Sequence, residues 1–161
     1  MKPQLVNVIG MGYIGLPTAA LLAKCGYEVT GVDISPTIVA DVNQGKSHIK
    51  EPELASLVHS VVSSGKLQCS TLVNVADIHI ICVPTPVFLE DGKPTPNIES
   101  IITATQSVAP FLKPGDLLIL ESTSPVGTTD LIQSVLGELS VPIDKINIAY
   151  CPERVLPGKI L

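Results

Sequence analysis

Leu5-Val6-Asn7-Val8-Ile9-Gly10-Met11-Gly12-Tyr13-Ile14-Gly15 is the stretch that decides the fold of this chain. A short apolar run ends in a glycine-rich turn, and an apolar, helix-like stretch follows from Leu16 to Lys24. In such a unit Gly10 permits the tight turn, Gly12 lets a pyrophosphate approach the backbone, and Gly15 lets the helix pack on the strand. The N–H groups and the dipole at the helix start favour an anion. The stretch therefore predicts a dinucleotide-binding turn, although a plain glycine turn would show the same glycines.

Asp33 adds a second part of the same pattern. An apolar run from Tyr27 to Val32 ends at this residue, 18 positions after the last glycine of the turn. An acidic side chain there accepts hydrogen bonds from the adenosine ribose hydroxyls, and no Lys or Arg follows within several residues to accommodate a 2′-phosphate. We therefore expect NAD rather than NADP, with Tyr13, Ile14 and Ile34 as further contacts. The alternative is that Asp33 only caps a helix or a turn.

Length and composition indicate a single domain over residues 1–161. The chain is 45% hydrophobic and 16% charged, with few aromatic residues, as is typical of buried parallel strands. A net charge of −5 without a basic cluster argues against nucleic acid binding. No apolar stretch approaches the roughly 20 residues that span a bilayer, and the N-terminus lacks a signal-peptide pattern. We therefore expect no membrane insertion. A cytoplasmic location is expected because the four cysteines give little support for disulfides, which fits a reducing compartment.

Strands and helices alternate along the chain, which predicts an α/β fold: a Rossmann-type, doubly wound parallel sheet with helices on both faces. Ser35-Pro36 is a helix start, with a hydroxyl N-cap and a proline in the first turn. Residues 87–94 are expected to form a polar loop. The other predicted helices cover about 52–65, 96–112 and 127–136, and the later strands about 67–69, 77–83, 117–120 and 146–150.

The four cysteines show no Cys-x-x-Cys spacing, so the sequence predicts no metal site. Cys25, Cys69 and Cys82 fall on predicted helices or strands and are interpreted as small core residues.

The unusual residues of the chain follow the predicted strands. In an open α/β sheet, ligands bind outside the carboxyl ends of the strands. We therefore expect one site at that edge, formed by residues 10–15, Asp33, 83–86, 122–127 and 151–158.

Four strings in these segments resemble the UDP-glucose/GDP-mannose dehydrogenase family. They are Gly-Met-Gly-Tyr-Ile-Gly-Leu-Pro at 10–17, Val-Pro-Thr-Pro at 83–86, Glu-Ser-Thr-Ser-Pro-Val-Gly-Thr at 121–128 and Cys-Pro-Glu-Arg-Val-Leu-Pro-Gly at 151–158. They cover essentially the whole chain in order, and the last two are much more specific than the glycine pattern. Their forms look most like the members that oxidise UDP-N-acetyl-hexosamines, UDP-N-acetyl-D-mannosamine above all, with UDP-N-acetylglucosamine as the alternative.

The resemblance implies an oxidoreductase of surface polysaccharide synthesis, which converts the C6 alcohol of a UDP-sugar to a carboxylate with two NAD⁺. In the family a cysteine thiol traps the intermediate aldehyde, and water releases the acid from a thioester. The resemblance places Thr123 near the nicotinamide and a catalytic water, and makes Glu153 the general base of the thioester step. It also implies cofactor contacts at Val83, Pro84, Thr85, Ser122 and Thr123, and UDP-sugar contacts at Glu153, Arg154, Val155 and Leu156.

Three of these residues also have simpler interpretations. Thr123 could cap the helix that follows, Glu153 could be a turn residue paired with Arg154, and Thr85 could be only a loop residue between prolines.

Family members continue into a central helix, a Lys-containing motif, a sugar-binding domain and the catalytic cysteine, and residues 1–161 match none of these. We therefore expect the chain to be the NAD-binding domain alone, inactive without the remainder, and the full-length protein to be a homo-oligomer. A non-catalytic NAD-sensing module would share the glycine turn and Asp33 but would not need Thr123 and Glu153. A dehydrogenase of the β-hydroxyacid type shares the cofactor pattern, but the string at 151–158 speaks against it.

Overall fold

The computed structural model of the chain describes residues 4–90 and 92–154. The strands are β1 (Leu5–Ile9), β2 (Glu28–Val32), β3 (Leu67–Ser70), β4 (Ile78–Ile81), β5 (Val87–Glu90), β6 (Lys93–Pro96), β7 (Leu117–Leu120) and β8 (Asn147–Tyr150). Six of them form a parallel sheet in the order β3-β2-β1-β4-β7-β8, and β5 and β6 form a separate antiparallel hairpin.

Helices cover both faces of this sheet. They are α1 (Gly15–Lys24), α2 (Pro36–Asn43), α3 (Leu54–Ser63), α4 (Glu99–Val108) and α5 (Thr128–Glu138). Successive strand residues face opposite sides, so Val8 of β1 packs in the core of α1, α2 and α3, whereas Ile9 packs in the core of α4 and α5. The predicted doubly wound fold is thus confirmed. None of the helices in the described residues is long and apolar enough to cross a membrane.

The sheet grows in two directions from β1. The chain builds β2 and β3 on one side, crosses back through residues 71–77 without a helix, and then builds β4, β7 and β8 on the other side. The strand order therefore reverses between β1 and β4. In folds of this class the crevice at that reversal, outside the carboxyl ends of the strands, is where ligands bind.

Polar side chains at both ends of α2 make hydrogen bonds to the backbone, as their residue types predict. The Ser35 hydroxyl oxygen accepts a hydrogen bond from the Ile38 N–H at 3.4 Å, and Pro36 opens the helix, which confirms the predicted start. At the other end the Asn43 amide pairs with both backbone groups of Cys69, at 2.9 and 2.7 Å. The Asn43 side chain thus satisfies backbone hydrogen-bonding groups on the outer edge of β3, as a neighbouring strand would.

Residues 87–94 do not form the polar loop that we expected. Most of them belong to the β5–β6 hairpin, in which Glu90 is paired with Lys93 and Gly92 has a φ of +75°. Asp-Gly between two strands is a strong hairpin signal. Pro94 and Pro96 are accommodated in β6, because proline is tolerated in strands with an open edge.

Two smaller expectations also need correction. Cys25 is exposed, because it lies at the C-cap of α1 rather than on its buried face, whereas Cys69 and Cys82 are buried as predicted. The helix predicted over 96–112 begins only at Glu99, whose N–H donates to the Asn97 side chain at 2.8 Å, and it changes to a 3-10 turn over 109–111.

A buried polar pair joins the two central strands. Asn7 of β1 is in register with His79 of β4, and neither side chain is exposed. The Asn7 amide nitrogen donates to the Asn74 carbonyl at 2.6 Å and lies 3.3 Å from His79 Nδ1. Burial, reinforced by the nearby Lys113 cation and opposed by the Asp116 carboxylate, lowers the pKa of His79 to about 4. The surroundings of the pair therefore favour the neutral form of the His79 imidazole.

This pair makes stability depend on pH. Because the His79 pKa is about 4 in the folded chain and about 6.5 when unfolded, the unfolded state binds more protons between these values, and stability falls as pH falls through this window. We expect His79 to account for a loss of about 2 kcal/mol in the free energy of unfolding between pH 7 and pH 5. Urea unfolding of a His79→Gln variant at both pH values should show a loss smaller by that amount. The exposed His48→Gln control should keep the parent's dependence, and the same dependence in His79→Gln would contradict this assignment.

Candidate functional site

The glycine turn between β1 and α1 is pressed against the end of β4. Gly10 has a φ of +96°, and a Cβ on it would lie 2.5 Å from the Cys82 carbonyl oxygen. A Cβ on Gly15 would collide with the Gly10 carbonyl and lie 3.1 Å from Cys82 Cβ. The Gly10 N–H also donates to the Val32 carbonyl at 2.7 Å. Only glycine fits at these two positions without a shift of the backbone.

Gly12 is in a different environment. Apart from its chain neighbours, no atom of the described residues lies within 4 Å of the position that its Cβ would take, so the backbone here faces open space. The N-cap residue of α1, Ile14, makes no side-chain cap bond within the described residues. Uncapped N–H groups at a helix start, reached across a residue without a side chain, are suited to a phosphate.

The Asp33 carboxylate is part of the turn as well as of the site. Its Oδ2 accepts from the Met11 N–H and its Oδ1 from the Ser35 N–H, both at 2.9 Å. These bonds fix the plane of the carboxylate at the end of β2. Each carboxylate oxygen has a second lone pair, so Asp33 can also accept hydrogen bonds from two hydroxyls. The structure thus adds turn-holding bonds to the residue that the sequence predicts for ribose.

Met11 and Gly31 form an anchor that the sequence analysis missed. The Met11 side chain is fully buried beneath the turn. A Cβ on Gly31 of β2 would collide with Met11 Sδ and lie 2.7 Å from the Cys69 sulfur. Met11 therefore fills the space that the absence of a side chain at position 31 leaves open. The sequence signal for it was weak, since a single glycine inside a strand has several explanations.

Tyr13 is held by a second missed residue. Its hydroxyl donates to the carboxylate of Glu51, which is buried in the segment between α2 and α3. This bond joins the glycine turn to a part of the chain 38 residues away. An acidic residue before a helix gives no sequence signal for such a contact.

A cleft of about 610 Å³ opens beside Asp33 on the α4 face of the sheet. Volumes of this order are typical of small-molecule sites. The Ile34 side chain is 95% exposed at its rim and Leu72 is 74% exposed, so apolar surface is available to a flat ring. The lining also includes Gly10, Val32, Val73, Val83, Pro84, Ser100 and Thr103.

The segments after β4 and β7 are bonded to each other. The buried Ser122 hydroxyl donates to the Val83 carbonyl at 2.8 Å, and the Thr85 hydroxyl donates to the Thr123 carbonyl at 2.7 Å. Ser122 thus points at backbone, and any contact of it with a cofactor would be through its main chain. Thr123 is exposed and does not cap α5, which starts at Thr128 without a side-chain cap bond.

Glu121 joins three elements at this place. Its Oε1 accepts from the Thr18 hydroxyl of α1 at 3.0 Å, and its Oε2 accepts from the Cys82 thiol at 2.9 Å. Burial, together with the charge of Glu121 and this hydrogen bond, raises the pKa of Cys82 well above its ordinary value, so the group stays a thiol donor. No role was predicted for Glu121 from the sequence, although it is the first residue of the string at 121–128.

Glu153 lies next to these residues. Its N–H donates to the Glu121 carbonyl at 3.4 Å, and its Oε1 is buried without a hydrogen-bond partner in the described residues. No ion pair between Glu153 and the exposed Arg154 occurs in the part of the chain that the structure describes. A buried carboxylate oxygen without a partner requires an explanation, and a role toward a ligand is one. Val155 and Leu156 lie outside the described residues.

The chain is similar to known proteins over almost its whole length. Residues 4–161 match the model of the UDP-glucose/GDP-mannose dehydrogenase family, NAD binding domain. The chain is 51% identical to UDP-N-acetyl-D-mannosamine dehydrogenase of Campylobacter jejuni and 47% identical to NDP-N-acetyl-D-galactosaminuronic acid dehydrogenase of Ralstonia solanacearum, over 97% of its own length. The solved structure of UDP-N-acetyl-mannosamine dehydrogenase Cap5O from Staphylococcus aureus superposes with a TM-score of 0.89 at 40% identity, over 96% of this chain and 38% of that one. The chain spans about two fifths of the length of the curated relatives that it matches.

The Met11–Gly31 anchor generates a prediction. We expect Gly31→Ala to lower the free energy of unfolding by about 1–3 kcal/mol, because the new methyl group displaces Met11, and to weaken NAD binding because Met11 carries the turn. In a Met11→Ala background the same substitution should cost less, since the Met11 sulfur is gone and only the close approach to the Cys69 sulfur remains. Urea unfolding and titration calorimetry measure both effects.

Gly137→Ala is the matched control, because no atom outside α5 and the adjoining residues, in the part of the chain that the structure describes, lies within 4 Å of a Cβ at this position. It should raise stability by about 0.5–1 kcal/mol. Equal costs of Gly31→Ala in the two backgrounds would show that Met11 and Gly31 do not interact.

Proposed function

The chain belongs to the UDP-glucose/GDP-mannose dehydrogenase family, as its NAD-binding domain, and we propose that it serves an enzyme that oxidises UDP-N-acetyl-D-mannosamine to the corresponding uronate. One observation carries the cofactor part of this proposal: the Asp33 carboxylate, fixed by the glycine turn itself, lies between the open face at Gly12 and a cleft of about 610 Å³. The chemistry of these groups fits a dinucleotide, since hydroxyls, phosphates and a flat ring each find a suited surface.

The proposed positions of the cofactor follow from this arrangement. Asp33 would hold the ribose hydroxyls of the adenosine, and Ile34 at the rim of the cleft would offer it apolar contact. Gly12 and the start of α1 would hold the pyrophosphate. The segments 83–85 and 122–123, which are bonded together at the ends of β4 and β7, would hold the nicotinamide. When bound, NAD supplies the acceptor for the hydride that leaves the sugar.

We propose catalytic roles for two residues at that end. Thr123 is exposed beside the proposed nicotinamide position, where its hydroxyl can orient a water. The Glu153 carboxylate, with its unpartnered buried oxygen, accepts a proton from the water that releases the acid. Arg154, Val155 and Leu156 would contact the nucleotide sugar.

The choice of UDP-N-acetyl-D-mannosamine rests on the most similar relatives, which include enzymes named for two different N-acetyl-hexosamine nucleotides. Full-length enzyme carrying this domain should therefore be assayed for NADH formation with UDP-N-acetyl-D-mannosamine, UDP-N-acetylglucosamine and UDP-N-acetylgalactosamine. Turnover of the first sugar alone supports the proposal, and preference for either of the others reassigns the substrate. NAD binding without turnover of any sugar would favour an NAD-sensing module. The homo-oligomer expected for the full-length protein is part of the same proposal.

The cofactor assignment predicts a loss on mutation of Asp33. We expect Asp33→Ala to weaken NAD⁺ binding by about 1.5–3 kcal/mol, because charge-assisted hydrogen bonds to the ribose are lost. Asp33→Ser combined with Ile34→Arg should shift preference toward NADP⁺, since the acidic group goes and a cation arrives. Titration calorimetry with both cofactors measures this. Asp144→Ala, an exposed change before β8, should bind NAD⁺ like the parent; if the Asp33 variants do so too, Asp33 is not the ribose ligand.

The catalytic assignment predicts a different defect. In the full-length enzyme we expect Glu153→Gln to slow release of the product acid by about 10²–10⁴, because the amide cannot accept the proton of water. A covalent sugar adduct should then accumulate, visible as added mass on the intact protein, while NAD⁺ binding stays nearly unchanged. The exposed Glu138→Gln serves as the control. Normal turnover of Glu153→Gln without an adduct would show that Glu153 is only a turn residue.

A further inference from the structure

We propose that Glu121 sets the preference of this domain for the oxidised over the reduced cofactor. Its carboxylate favours the positively charged nicotinamide of NAD⁺ and gives no such advantage to the neutral ring of NADH. This inference rests on the proposed function, because it needs the cofactor at the edge of β4 and β7.

The contacts of Glu121 leave its negative charge without a cation. Both carboxylate oxygens accept hydrogen bonds, one from the Thr18 hydroxyl and one from the Cys82 thiol, and both donors are neutral. Within residues 4–90 and 92–154, no Lys, Arg or His forms an ion pair with it. The charge is therefore fixed in place by two uncharged neighbours and remains able to act on a ligand.

The backbone of Glu121 places this charge at the proposed nicotinamide position. Its N–H donates to the Ile81 carbonyl at the end of β4, at 3.0 Å, and its carbonyl accepts from the Glu153 N–H. Thr123, the residue proposed to lie beside the nicotinamide, follows two positions later. Glu121 thus sits between the two proposed catalytic residues and the first turn of α1.

Strand order supports the same placement. Adenosine is assigned to the end of β2 and the pyrophosphate to the turn after β1, so the rest of an extended dinucleotide continues over the next strands, β4 and β7. Neighbouring strands lie about 4.8 Å apart, so the end of β7 lies about 14 Å along the sheet edge from the end of β2. Glu121 is the first residue after β7.

A charge at this place distinguishes the two redox states of the cofactor. NAD⁺ and NADH carry the same adenosine and pyrophosphate, and they differ by one positive charge on the nicotinamide. A unit charge several ångströms from that ring, in a crevice of intermediate dielectric constant, changes relative affinity by about five- to tenfold. An enzyme that consumes two NAD⁺ for each sugar gains from weaker binding of NADH, because reduced cofactor must leave after each oxidation.

The test is the ratio of two dissociation constants, Kd for NADH divided by Kd for NAD⁺. NADH is titrated by its fluorescence and NAD⁺ by calorimetry, with the parent chain and with Glu121→Gln. Glutamine keeps the shape and can still accept from Thr18, but its amide nitrogen faces the Cys82 sulfur, so the charge is removed together with the hydrogen bond from the Cys82 thiol. We expect the ratio to fall by about five- to tenfold in this variant. Thermal unfolding of each variant confirms that the measured protein is folded.

Two controls separate charge from structure. Thr18→Val removes one hydrogen bond to Glu121 and keeps its charge, so it should change both constants by the same factor and leave the ratio unchanged. Glu138→Gln removes a carboxylate from the far end of α5 and should also leave the ratio unchanged.

The outcomes are distinguishable. A fall of the ratio in Glu121→Gln alone supports the proposal. Equal weakening of both cofactors in Glu121→Gln overturns it and leaves Glu121 as a hydrogen-bonding link between elements. If the parent chain binds neither cofactor, the proposed function fails first, and this inference fails with it.

Discussion

The arrangement of the site at the carboxyl ends of the strands depends on the close approach of the turn after β1 to the end of β4. A side chain at Gly10 would meet the Cys82 carbonyl, and one at Gly15 would collide with the Gly10 carbonyl. Because both positions lack a Cβ, α1 can start directly above the point where the strand order reverses. This one close approach brings the helix N-terminus, the Cys82 thiol and the Glu121 carboxylate together.

The same residues hold the glycine turn in place and form the proposed cofactor site. Asp33 fixes the turn by accepting from the Met11 N–H, and the Met11 side chain in turn fills the space left by Gly31. The residue proposed to bind ribose is therefore also a structural part of the phosphate-binding turn. Removal of the Asp33 side chain therefore changes both the turn and the proposed ribose contact. A side chain at position 31 would change the site only through the packing of Met11.

The sequence predicted the doubly wound sheet and the edge that carries the site, because strand–helix alternation and the segments after strands are local features. It failed at residues 87–94, where the Asp-Gly pair was assigned to a polar loop although it is a hairpin signal between two strands. It also missed Glu51, Gly31 and the role of Glu121. Their partners, Tyr13, Met11 and Thr18 with Cys82, are 20 to 103 positions away in sequence, and such contacts arise only from tertiary packing.

NAD is proposed to bind across this edge, with adenosine at the end of β2 and nicotinamide at the ends of β4 and β7. Titration of ¹⁵N-labelled protein with NAD⁺, followed by amide chemical shifts, tests it most directly. The account predicts saturable shifts of the Gly12, Ile34 and Thr123 amides with one common dissociation constant, and none at Glu28 and Asn147 on the opposite edge. Saturable binding that leaves the Gly12 and Ile34 amides unmoved would contradict it.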